Sequence, residues 1–183
     1  MDDAGVRSSW SMSVTNGRGF TLALFVRDRY DLPVGVDVPA LSPPVSAERA
    51  RSLDAFAAAA WDEWWVRLVA APPGRVVRPD HDEQLAALFD EVEHEALSWE
   101  EDHIRLADPQ YLSPAPGQWL DDHVSPGDRV DCVLQVVGVR GSWFLEVDPG
   151  HLLISLDLYR DHARLDATLI AALEQAGVTD VGS

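Results

Sequence analysis

Between Asp80 and Asp102 the chain carries ten carboxylates, namely Asp80, Asp82, Glu83, Asp90, Glu91, Glu93, Glu95, Glu100, Glu101 and Asp102, and no basic residue other than His81 and His94. Interleaved with them, Leu85, Leu88, Phe89, Val92, Ala96 and Trp99 recur every three or four positions, which predicts a helix with one apolar stripe. With Leu85 at zero on its wheel, Glu83, Asp90, His94 and Glu101 fall within about 20° of the point opposite the core, so they form a ridge that is either solvated or bound. Like charges four apart, as at Glu91 and Glu95, disfavour a helix by a few tenths of a kcal/mol. The chemistry such a ridge suits is ion pairing with a cationic surface. Glu83, Asp90, Glu91, His94, Glu95, Glu100 and Glu101 are therefore expected to bind a partner, with Trp65, Tyr111 and Trp119 as aromatic anchors for arginine-rich surfaces.

A second constellation lies in the loop from Trp99 to His123, where Asp121, Asp122 and His123 follow Glu100 and the aromatic residues. Asp122 beside His123 has the make-up of an orienting carboxylate and a general base. A small hydrolase or ligand-binding protein, with its pocket between a sheet and the 99–123 loop, is the alternative reading. No serine or cysteine sits in a nucleophile elbow, so no catalytic residue is assigned.

Metal chemistry fares no better. Asp90 and His94 share a face, but His103 falls near the apolar side and does not converge with them. There is no His-Glu-x-x-His pair, no glycine-centred calcium loop and only one cysteine. Cys132 alternates with Val130 and Leu134 and reads as a small buried hydrophobe. Asn16-Gly17-Arg18-Gly19 reads as a turn and matches neither phosphate-binding fingerprint. No metal and no cofactor is expected.

The elements that would position these residues are of both kinds. Ser46, Glu48 and the spacing of Leu53, Phe56, Ala57, Ala60, Trp61, Trp64 and Leu68 predict a helix over 47–71, stopped by Pro72-Pro73-Gly74. With the acidic helix over 81–102 it should form an αα-hairpin. Residues 129–159 alternate with period two around two glycine-containing turns, which predicts a three-stranded antiparallel β-meander. A terminal helix over 161–176 ends before Gly177. At the other end, Trp10 to Val14 reads as a strand, and Asn16-Gly17 suggests a hairpin to residues 20–31. That stretch also fits helical spacing, and the balance tips slightly to strand. Residues 31–46 hold four prolines and should cross the surface as an irregular segment within a partly irregular 1–45. The expected architecture is a single α+β domain over 1–183, with the sheet packed on the helical hairpin.

Composition narrows function further. The 183 residues contain 14 arginines, no lysine and 31 acids, for a net charge of −17. Such a surface repels nucleic acid and anionic membrane, so direct binding to either is not expected. No apolar run approaches a bilayer span, the N-terminus opens on Met1, Asp2 and Asp3, and the single cysteine suits a reducing compartment, which together predict a cytoplasmic protein. Small size, heavy acidity and the lack of a catalytic signature are similar in general character to bacterial immunity proteins and other inhibitors of cationic enzymes. The sequence thus predicts an acidic interaction module, an immunity-type inhibitor of a cationic protein such as a toxin; whether it has an enzymatic activity is left open, with the balance against one. It leaves oligomeric state open.

Overall fold

The computed structural model describes residues 9–47, 55–106 and 129–175. Strand β1 (Ser9–Asn16) leads directly into helix α1 (Arg18–Tyr30), and α2 (Ala55–Val69) and α3 (Glu83–His103) follow. Then come β2 (Arg129–Val137), β3 (Phe144–Asp148), β4 (His151–Ser155), a short helix α4 (Leu156–Arg160) and α5 (His162–Gln175). The fold is mixed α+β: the four strands form one sheet in the order β1-β2-β4-β3.

That order corrects the expected meander. β3 and β4 do form an antiparallel hairpin, with Leu145 opposite Leu153, but β4 then inserts between β3 and β2 and runs parallel to β2, with Leu134 beside Leu152. Alternation cannot reveal this, because it reports which residues share a face and not which strand lies alongside. All five residues of β4 are buried, as a central strand covered on both faces requires. The expected third strand also ran too far. Leu156 and Leu158 continue the alternation, yet Ser155 caps a helix there, its Oγ accepting from the Leu158 amide at 3.1 Å.

The expected N-terminal hairpin is absent as well, since residues 18–30 are helical. Gly17 does not turn the chain back; its amide still donates to Val136 O at 2.8 Å before α1 begins. A Cβ at this position would lie 2.8 Å from Val137 Cγ1, so the close approach of β1 to β2 needs the glycine. Ten of the thirteen α1 residues are buried, which makes it the central helix of its layer and leaves no polar face to mark a period of 3.6.

Alternate residues of the strands feed two cores. Val137, Val139 and Leu153 face α1, α2 and α3, whereas Leu134, Val136, Leu152 and Ile154 face α4 and α5. The result is three layers, helix on sheet on helix. Within the larger layer α2 and α3 touch through Trp64 on Phe89, but they are not a self-contained hairpin. α1 joins both, with Trp61 Nε1 donating to Ala23 O at 2.7 Å and Phe25 meeting Trp99 edge-on. The proline-rich segment after α1 is tied to that helix. Buried Arg27 donates to Val38 O and Pro39 O at 2.7 and 2.8 Å, and Asp28 accepts the Leu41 amide.

Candidate functional site

The acidic helix is α3, and its start is fixed by Asp82, whose Oδ1 accepts from the Leu85 amide at 2.8 Å. From there the stripe of Leu85, Leu88, Phe89, Val92 and Ala96 is buried against α1 and α2, which turns the opposite side outward. Glu83, Asp90, Glu91, His94, Glu95 and Glu101 are all exposed, and helical geometry spreads them over about 30 Å.

Arginines brought in from outside the helix set the electrostatics of this ridge. Arg78, in the approach to α3, hydrogen-bonds Asp90 and lies 3.6 Å from Asp80 and 3.5 Å from Glu93, its guanidinium 4.6 Å above the Phe89 ring. The bond it donates to Asp90 pushes the Arg78 guanidinium above its already high value. Arg29, from α1, reaches Glu95 at 3.3 Å. Sequence reasoning missed both pairings. Arg78 stands only two residues from Asp80 and could have been found; Arg29 carries no local signal.

Two residues expected at the surface are not there. Trp65 is 3% exposed, stacked on Trp61 at 5.3 Å and met edge-on by Phe20 at 5.2 Å, because α1 covers the side of α2 that would otherwise face water. It belongs to the core and is closed to a partner. Glu100 is 1% exposed, with Arg18 Nε at 3.4 Å and, among the described residues, no hydrogen bond to either carboxylate oxygen. It staples the end of α3 to the start of α1 instead of joining the ridge. Tyr111, Trp119, Asp121, Asp122 and His123, and with them the alternative pocket, lie outside the described residues.

Elsewhere the polar chemistry is sparse. Among the described residues no three of His, Cys, Asp and Glu gather as a metal site, and no helix is long and apolar enough to cross a membrane. Burial, with Asp131 adding to it, pushes the Cys132 thiol up to about 11, so it stays protonated at neutral pH. Under the larger helical layer, buried Gln135 and His151 meet across β2 and β4 at 2.8 Å, Gln135 Oε1 accepting from Nε2 once the tautomer is assigned that way.

Desolvation holds the His151 imidazole below its ordinary value, with Asp148 pulling weakly the other way. The unfolded chain therefore takes up a proton before the native state does. Stability from this group is fully present above a pH of about 6.5 and is lost as pH falls from there toward the native value. His151→Gln keeps an N–H for Gln135 and should flatten that part of the profile. Melting temperatures of both proteins between pH 5 and 8 check this, and parallel curves would remove His151 as the cause.

Comparison with known proteins returns nothing: no family model, no curated protein and no solved structure matches the chain.

Proposed function

We propose that the protein is an acidic interaction module that holds a cationic protein partner against the outer side of α3, in the manner of an immunity-type inhibitor. The observation that carries this reading is the ridge itself. Six residues chosen from sequence, Glu83, Asp90, Glu91, His94, Glu95 and Glu101, stand exposed along one side of a helix whose other side is locked into the core. The net charge of −17 adds a long-range field of the same sign, which steers a basic partner toward the surface. Arg29 and Arg78 reduce the local charge but also hold Glu95 and Asp90 in fixed positions, so less side-chain entropy is lost on binding.

These pairings decide how the reading is tested. Reversing Asp90 or Glu95 would set a new arginine against Arg78 or Arg29 and confuse lost binding with lost stability. Glu83 and Glu101 make no ion pair among the described residues and are the clean positions. Glu83→Arg with Glu101→Arg should leave the melting temperature nearly unchanged and slow association about tenfold or more at low salt, with the difference shrinking as ionic strength rises. The measurement is the association rate, across salt, with the partner recovered by affinity capture from the source organism. An unchanged rate at every salt concentration would retire the ridge as a binding surface.

A further inference from the structure

The sheet ends on β3, which among the described residues is hydrogen-bonded on its β4 side alone. Beside this edge is an open hollow of about 380 Å³. Phe144 and Ser142 line it from the β3 side, Leu158 from α4, and Arg164, Ala167 and Ala171 from α5. Phe144 is 49% exposed and presents its ring to the hollow. In a protein with 31 acids, the one charged side chain lining the hollow is an arginine. Arg164 is held by Ser142 Oγ, 3.2 Å from Nη1, and by Asp161, 3.4 Å from Nε, while Nη2 makes no hydrogen bond among the described residues.

A groove between an edge strand and a helix accepts an extended peptide as an added strand, with alternate side chains entering the groove. Charge sets the direction of that strand. The cation sits beside Ser142, before the start of β3, whereas Glu146, on the same face as Phe144, and Asp148 stand further along it. Only a peptide antiparallel to β3 places its terminal carboxylate at Arg164 while its preceding residues pass the two acids.

From this we infer that the β3–α5 groove binds the free C-terminus of an extended peptide. Its last residue is apolar and fills the hollow, its carboxylate rests on Arg164, and a basic residue two positions earlier faces Glu146. A second copy of this chain is the poorer occupant, since symmetric pairing about the middle of β3 sets Glu146 against its own mate and brings together two chains of net charge −17. The groove is independent of the α3 ridge, which belongs to the opposite helical layer.

The test is selection of random peptides displayed with free C-termini on the full chain, followed by fluorescence anisotropy. The anisotropy probe is fluorescein-labelled Lys-Thr-Arg-Thr-Leu, as the free acid and as the C-terminal amide. Selection should enrich an apolar last residue with arginine or lysine two before it, and the amide should bind about tenfold more weakly than the acid. Arg164→Gln should weaken the acid about tenfold and leave the amide unchanged, a split that general unfolding cannot produce. Ala171→Trp, which fills the hollow from an exposed position, should block both forms. Enrichment without an apolar terminus, equal binding of acid and amide, or an Arg164→Gln loss shared by both forms would overturn the proposal. So would a concentration-dependent dimer abolished by Phe144→Asp, which would identify a second copy as the occupant.

Discussion

Trp61→Ala should lower the unfolding free energy by about 4 kcal/mol, within the 3–5 kcal/mol typical of truncating a large buried aromatic residue. The indole is fully buried, stacks on Trp65 and donates from Nε1 to Ala23 O, so one side chain joins α2 to the central helix. Trp65 in turn reaches Phe20, and the cavity would open between α1 and α2. Phe56 in the same helix is the control. It is 78% exposed, and its replacement by alanine should change stability by no more than about 0.5 kcal/mol. Urea unfolding of the three proteins checks the contrast; a Trp61→Ala loss below about 2 kcal/mol would mean that the layer collapses onto the gap.

Arg18→Ala should be the most damaging change at a side chain that is half exposed. It removes the counter-charge of Glu100, whose carboxylate is buried and accepts no hydrogen bond among the described residues, and leaves an uncompensated charge under α1. Breaking a fully buried pair costs about 3–5 kcal/mol; since water reaches Arg18, about 2–3 kcal/mol is expected here. Replacing the acid has the opposite sign. Glu100→Met fills a similar volume without a charge to desolvate, and should be neutral or stabilising. In that background Arg18→Ala should have little effect, so a double-mutant cycle by urea unfolding should return most of the single-mutant loss as coupling. An Arg18→Ala protein as stable as the parent would show that Glu100 is not held by this pair.

The two failures at Trp65 and Glu100 share a cause with the fold features that sequence left hidden. Helices α2, α3 and α5 were legible because each has one wet side: the stripe from Leu85 to Ala96 stands out against the acids around it. α1 has almost no wet side, so Leu22, Leu24 and Val26 fit a strand as well as Leu22, Phe25 and Val26 fit a helix. With α1 misplaced, the layer lacked the element that buries Trp65 and supplies Arg18 to Glu100 and Arg29 to Glu95. The strands after residue 129 were legible as strands from their alternation, but their order depends on which backbones pair, and side chains of period two carry no record of that. On the ridge, the exposed positions of Glu83, Asp90, Glu91, His94, Glu95 and Glu101 followed from the wheel alone; the arginines that partly neutralise it came from elsewhere in the chain and could not.

The parallel pairing of β1 with β2 also sets an order of events during synthesis. Ser11 and Asp131, hydrogen-bonded at 2.6 Å, are 120 residues apart, and every contact between the two strands spans a similar length. Closing so long a loop is slow, and it cannot begin until the ribosome has made β2. At about 5–20 residues per second, β1 and the apolar α1 emerge several seconds before the strand that will cover them. A segment made early is thus among the last to find its partner, and during that interval its apolar surface calls for a chaperone.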